Sequence, residues 1–67
     1  MKVYTKRELA MLYFPKAAPK TATNRLARWI NRSDELRRRL EEAGYSPKNK
    51  LYTVRQIRII FDILGEP

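Results

Sequence analysis

The 67-residue chain contains neither cysteine nor histidine, and this limits how so short a domain can be stabilised. A domain of this length hides only about 60% of the surface that its unfolded chain exposes, so its hydrophobic core is thin. Small domains often compensate with disulfides, a metal or a partner. Here disulfides and most zinc and haem sites are excluded. We therefore expect one domain, residues 1–67, stabilised by close helix packing, oligomerisation or a partner.

Start and stop signals predict four helices. Thr5 with Glu8, and Thr53 with Gln56, have the spacing of a capping box, which satisfies free N–H groups at a helix start. Three residues that interrupt helices follow later, namely Pro15, Gly44 and Gly65. The predicted helices cover residues 6–14, 21–31 (with a start at either 21 or 23), 34–43 and 54–64.

Two similar extended segments precede the capping boxes. Residues 2–4 and 50–52 each contain an apolar residue followed by tyrosine. We expect them to pair as a very short two-stranded ribbon that brings the first and last helices together. The predicted fold is all-α: a compact bundle of about four short helices whose first half resembles a helix-turn-helix.

The spacing of apolar residues predicts a core and one candidate interface. Trp29 shares a face of the second helix with Leu26 and Ile30, so we expect it at the centre of the core. The last helix is apolar on more than one side, which is typical of a central helix or of half an interface. The candidate residues for contact with a partner or a second copy are Ile59, Phe61 and Ile63.

The net charge of +8 is concentrated in the first half of the chain. Residues 1–33 contain eight lysines and arginines against one glutamate, whereas residues 34–67 contain seven against six acidic residues. In the third helix, the run 37–39 is predicted to form (i, i+4) ion pairs, Glu35 with Arg39, Arg37 with Glu41 and Arg38 with Glu42. The basic first half therefore predicts a polyanionic partner, the alternative being a basic surface without a specific partner.

The polar side of the second helix is the best candidate for nucleic-acid binding. Its arginines recur at helical spacing, and its start carries hydroxyl and amide side chains beside free backbone N–H groups that attract phosphate. Asn24 and Arg25 are expected nearest the bases, because their side chains suit adenine and guanine. Phosphate contacts are expected from Lys16, Lys20, Arg28 and Arg32, with Thr21 and Thr23 also in the site. Residues 48–50 form either a phosphate-contacting wing or an ordinary polar loop.

No catalytic constellation is evident. Histidine is absent, Ser33 and Ser46 have no base to activate them, and Gly44 and Gly65 cannot form a phosphate-binding loop. We expect no enzymatic activity, cofactor, metal or small-molecule substrate. The N-terminus lacks the apolar run of a secretion signal, and no run is long enough to cross a bilayer, so we expect a cytoplasmic protein without a membrane partner.

Several motifs together resemble a family of small domains of unknown function from Bacteroidetes. They are the segments Tyr4-Thr5-x-Arg7-Glu8-Leu9-Ala10, Tyr13-Phe14-Pro15, Thr21-Ala22-x-Asn24-Arg25-Leu26, Trp29-Ile30, Gly44-Tyr45 and Leu64-Gly65-Glu66-Pro67. This resemblance implies a short bacterial protein and supplies no activity.

A second resemblance is to the winged-helix domains of MerR and excisionase proteins. It rests on Tyr4-Thr5-x-x-Glu8-Leu9-Ala10 and on Leu51-Tyr52-Thr53 leading into Ile57. The helix at 34–43 and the lack of a clear hairpin depart from that pattern. The resemblance implies DNA-reading roles for Thr23, Asn24, Arg25 and Arg28. The expected function is DNA binding through the second helix, the alternative being a protein-interaction or homodimerisation module without a nucleic-acid role.

Overall fold

The computed structural model describes residues 2–67. It contains four helices and two short strands, in the order β1 (Tyr4–Thr5), α1 (Lys6–Tyr13), α2 (Pro19–Arg32), α3 (Asp34–Glu42), β2 (Leu51–Tyr52) and α4 (Val54–Leu64). The predicted mostly helical fold is thus confirmed, including the ribbon. No helix within residues 2–67 is long and apolar enough to cross a bilayer.

Both predicted capping boxes are present. The Thr5 hydroxyl accepts a hydrogen bond of 3.0 Å from the Glu8 N–H, and the Glu8 carboxylate accepts one of 2.9 Å from the Thr5 N–H. The equivalent distances between Thr53 and Gln56 are 3.2 and 3.0 Å. Each box satisfies backbone groups that the first helical turn leaves without a partner, and so fixes where α1 and α4 begin.

The start of α2 differs from the prediction. The helix begins at Pro19, two to four residues before the predicted Thr21 or Thr23, and Ala18 is its N-cap without a side-chain cap bond. Proline suits the first helical position because its missing N–H would have no partner there and its φ is already helical. Pro19 therefore starts α2 rather than belonging to the preceding loop.

The first strand of the ribbon lies further along the chain than predicted. Tyr4 pairs with Tyr52 and Thr5 with Leu51 in an antiparallel register, whereas residues 2–4 were predicted to pair with 50–52. The Lys6 N–H, which has no partner inside α1, donates 3.1 Å to the Lys50 carbonyl oxygen and continues the pairing. The ribbon thus runs directly into the helix start.

Trp29 was predicted at the centre of the core, and this is wrong. Its side chain is 39% exposed, whereas Ala22, Leu26 and Ile30 are at most 3% exposed. Those three residues recur every four positions and form a narrow buried stripe along α2. Trp29 lies beside that stripe, at its edge, because the core of so small a domain covers only one side of the helix.

One of the three predicted interface residues on α4 needs correction. Ile59 is only 8% exposed and belongs to the core with Ile57 and Ile60, so it offers almost no surface to a partner. Phe61 and Ile63 are half-buried against the same core. Because α4 packs against both α3 and the ribbon, more than one of its sides is covered within the chain.

The ion pairs of α3 differ from those predicted. Arg37 pairs with Asp34 at 2.8 Å, and Arg39 approaches Asp62 of α4 at 4.0 Å. Throughout residues 2–67, none of the three predicted (i, i+4) pairs is formed at salt-bridge distance. Exposed pairs of this kind contribute little to stability, and their partners are easily exchanged.

Candidate nucleic-acid interface

The exposed side of α2 is polar and points away from the buried stripe. At about 100° per residue, Asn24 and Arg28 lie opposite Leu26, and Thr21 lies close to them. All three polar side chains are exposed. We refer to Thr21, Asn24 and Arg28 as the ridge of α2.

A wide, open groove lies on one side of this ridge, between the start of α1, the first turns of α2 and the turn at 46–50. We call it the lysine groove. It is lined by Thr5, Lys6, Arg7, Lys20, Thr23, Asn24, Pro47, Lys48, Asn49 and Lys50. Five of these residues are cationic and none is acidic, so the groove has a strongly positive field and suits a polyanion.

Hydrogen bonds fix the far wall of the lysine groove. The Lys6 ammonium donates 2.8 Å to the carbonyl oxygen of Pro47 and lies 4.9 Å from the ring centre of Tyr45. The Asn49 N–H donates 2.9 Å to the carbonyl oxygen of Ser46. These contacts hold the lysine-rich turn against α1 and therefore opposite α2.

Thr23 has a structural role on the near wall. Its hydroxyl donates 2.7 Å to the carbonyl oxygen of Pro19, one turn earlier in α2. This hydrogen bond uses the only proton of the Thr23 hydroxyl, whose oxygen can still accept a hydrogen bond. Thr23 can therefore contact a donor in a ligand, but it is less suited to binding a phosphate oxygen than was expected from the sequence.

A second depression lies on the other side of the ridge, and we call it the arginine face. It is lined by Phe14, Arg25, Arg28, Trp29 and Arg32. The rings of Phe14 and Trp29 meet edge to face with their centres 4.8 Å apart, and the Arg25 guanidinium lies 5.7 Å from the centre of the Phe14 ring. Three cations thus surround an aromatic pair in which Trp29 is exposed and Phe14 is half-buried.

The structure divides the predicted site residues between the two sides of α2. Lys20, Thr23 and Asn24 line the lysine groove, whereas Arg25, Arg28 and Arg32 line the arginine face. Lys16 is exposed in the connection between α1 and α2 and lines neither depression. The predicted single face is therefore two faces that meet along the ridge.

Sequence reasoning did not assign Lys6 and Arg7 to the site, or the aromatic pair Phe14 and Trp29. Lys6 and Arg7 are in the first turn of α1, and the helix signals give no information about which other element that turn approaches. Trp29 was assigned to the core because of its helical spacing. The arginines at positions 25, 28 and 32 recur at helical spacing around Trp29, and this was the signal in the sequence that favoured an exposed position for it.

Glu8 is the one acidic residue among the first 33, and it is held by its own helix. The Thr5 backbone N–H holds the pKa of Glu8 below its ordinary value, because that bond favours the carboxylate. Glu8 lines neither depression. Its carboxylate therefore caps α1 and is not part of the lining of either face.

Comparison with known proteins gives a family. A family model described as Domain of unknown function (DUF4248) matches residues 1–67, the whole chain. The chain belongs to the DUF4248 family. The expected resemblance to a family of unknown function is thereby confirmed. No curated protein and no solved structure matches this DUF4248 domain significantly.

Proposed function

We propose that this domain binds duplex DNA by placing α2 in the major groove. The observation that supports this most directly is that the polar ridge of α2 is flanked on both sides by basic depressions, the only carboxylate that residues 2–67 contribute to the adjoining cavity between α2 and α3 being that of Glu41. A helix in the major groove has a sugar–phosphate backbone on either side of it. The charge distribution around α2 matches that arrangement.

Each side would bind one backbone. Lys20, Lys48 and Lys50 would contact phosphates from the lysine groove, and Arg25 and Arg32 from the arginine face. Such contacts position a protein on the duplex without reading its sequence. Two separate groups of cations would therefore fix the orientation of α2 in the major groove, in addition to increasing the affinity for DNA.

The ridge would read the bases. Asn24 suits the edge of adenine and Arg28 that of guanine, because each can form two hydrogen bonds there. We assign Arg28 to this role in place of Arg25, since Arg25 lies on the flank of α2 over the ring of Phe14. This proposal also keeps the cytoplasmic location expected from the sequence, where bacterial DNA is found.

A salt titration tests the proposal. We expect the full chain to bind a labelled mixed-sequence duplex, measured by fluorescence anisotropy at several salt concentrations. If the five cations named above each neutralise one phosphate, the logarithm of affinity falls with the logarithm of salt concentration at a slope of roughly −4 to −5. Absence of binding at low salt would overturn the proposal.

A matched pair of triple variants separates the site from net charge. One variant changes Lys20, Arg28 and Arg32 to glutamate. The control changes the same number of exposed cations outside both faces, Arg38, Arg55 and Arg58. The two variants alter net charge equally, so we expect the first to abolish binding and the control to weaken it only modestly. Equal losses would show non-specific attraction and contradict the assigned site.

Homodimerisation remains the second candidate, and the side chains of Phe61 and Ile63 favour it, since both are only half-buried although they lie on different sides of α4. Phe61→Lys is the suitable variant because Phe61 is only half-buried, whereas a charged residue in place of the buried Ile59 would disrupt the core. Light scattering across a range of protein concentrations would give a dimer mass that Phe61→Lys reduces to that of a monomer. A constant monomer mass would exclude this candidate.

A further inference from the structure

The exposed ring of Trp29 on the arginine face has no assigned contact in the duplex-binding arrangement. From its surroundings we infer that Trp29 stacks on an unpaired base, so that the preferred ligand is DNA with unpaired nucleotides next to a duplex. This inference rests on the proposed function and specifies the class of DNA that the same surface binds.

The first observation is the exposure and fixed orientation of Trp29. Its side chain is 39% exposed although it is the largest apolar side chain in the chain. Tyr13 and Phe14 meet it edge to face, with ring centres 6.2 and 4.8 Å away. Such contacts hold the indole in place, so its orientation is set before a ligand arrives.

The second observation is the charge around the indole. Arg25, Arg28 and Arg32 line the same depression, and no carboxylate lines it. Aromatic rings interspersed with cations are how proteins bind unpaired nucleotides, because the bases stack on the rings while the cations contact the phosphates. A fully paired duplex offers cations its phosphates but keeps its base faces covered within the stack.

The position of Trp29 on α2 decides which nucleotide it would meet. It is one residue after Arg28 of the ridge and lies on the flank of the helix, beside the core stripe. With the ridge in the major groove, this flank faces one backbone rather than the base pairs. A base reaching Trp29 therefore has to leave the stack, as the nucleotides of a single-stranded overhang already have.

The test compares two ligands that differ only in unpaired nucleotides. Anisotropy would be measured with a blunt duplex and with the same duplex carrying a short single-stranded thymidine overhang, at one salt concentration. We expect the overhang to increase affinity about tenfold, which is typical of one stacked base. Trp29→Leu should abolish this preference, so that its affinities for the overhang and for the blunt duplex become equal, and Trp29→Phe should retain part of it.

Leu12→Ala is the matched control, because Leu12 is 42% exposed and lines neither depression. It should keep the full preference for the overhang. Circular dichroism would show that each variant is folded. Trp29 is the only tryptophan, so quenching of intrinsic fluorescence by the overhang, and not by the blunt duplex, reports directly on stacking.

The outcomes are distinguishable. Equal affinity for both ligands, or an overhang preference that survives Trp29→Leu, overturns this inference and leaves duplex binding intact. Absence of binding to either DNA overturns both. A Trp29-dependent affinity for polyglutamate equal to that for the overhang would show an acidic protein partner instead, and would also overturn the inference.

Discussion

The side-chain amide of Gln56 donates a hydrogen bond of 3.0 Å to the carbonyl oxygen of Ala43, joining the start of α4 to the end of α3. Gln56 is only 1% exposed, and its oxygen accepts the Thr53 N–H as part of the capping box. One buried side chain therefore satisfies a backbone donor and a backbone acceptor that two different helix ends leave free.

Replacing Gln56 by alanine should reduce the free energy of unfolding by about 2–3 kcal/mol, because it leaves partly buried backbone groups unpaired and removes half of a capping box. Urea unfolding measures this. Glu8→Ala is the matched control, since Glu8 occupies the same position in the other box but is exposed. We expect a clearly smaller loss there, and equal losses would contradict the role assigned to the Ala43 contact.

Truncation of Ile59 should be strongly destabilising. Ile59 is buried in the core, and changing a buried isoleucine to alanine typically costs about 2–5 kcal/mol because it removes apolar contacts and leaves a cavity. Leu51, which is 50% exposed, provides the control, and Leu51→Ala should change stability much less. If Ile59→Ala unfolded at the same urea concentration as the parent chain, the burial described for α4 would be wrong.

The stability of the domain should fall at alkaline pH through Tyr13. Burial, with a smaller contribution from the charge of Glu66, raises the pKa of Tyr13 to about 12 from an ordinary value near 10. The neutral phenol also donates a hydrogen bond to the carbonyl oxygen of Gly65. Its stabilising effect is therefore complete below about pH 10 and is lost as the pH rises towards about 12.

Unfolding free energies of the parent chain and Tyr13→Phe, measured at about pH 8 and about pH 11, check this prediction. The parent chain should lose more stability between the two pH values than the variant. Burial raises the pKa of Tyr52 as well, so the variant should retain some alkaline sensitivity. An identical loss in both proteins would rule out the contribution of Tyr13.

Lys6 should position the lysine-rich turn as well as contribute charge. Lys6→Met removes the bond to the Pro47 carbonyl oxygen, so we expect faster hydrogen exchange at the Asn49 amide, which belongs to the same turn. Lys48→Met removes a cation from the lysine groove without breaking that bond and should leave the exchange rate unchanged. Slow exchange in both variants would show that the turn is held by other contacts.

The same pair of variants separates positioning from phosphate contact in the DNA titration. Each substitution should reduce the magnitude of the salt slope by about one if the lost cation contacts a phosphate. Lys6→Met should weaken DNA binding more than Lys48→Met does at every salt concentration, because it also releases Lys48 and Lys50 from their place opposite α2. Equal weakening by the two variants would contradict the positioning role.

The helix starts were predictable because capping is local chemistry. Thr5 and Glu8 are three residues apart, as are Thr53 and Gln56, and backbone groups at a helix start need such partners wherever the helix packs. The family resemblance was likewise visible in the sequence. Pro19 was misjudged because a proline fits both a loop and a first helical turn.

The exposure of individual apolar side chains was decided by the tertiary structure. Trp29 and Ile59 each have helical spacing, but Trp29 is at the rim of the core and Ile59 inside it. Spacing gives the direction of a side chain from its helix axis, whereas burial depends on which sides of that helix its neighbours cover. In a domain with so thin a core, those neighbours cover one side of α2 and more than one side of α4.

The sequence by itself determined an excess of positive charge, its concentration in the first half of the chain and the polar side of α2. Only the tertiary structure brought Lys6 of α1 and Lys48 of the later turn to the same groove as Lys20. These residues are far apart along the chain, and no local signal encodes their proximity. Their cluster depends on the ribbon and on the Lys6–Pro47 bond, both of which form only when the first residues of the chain meet the segment 47–52.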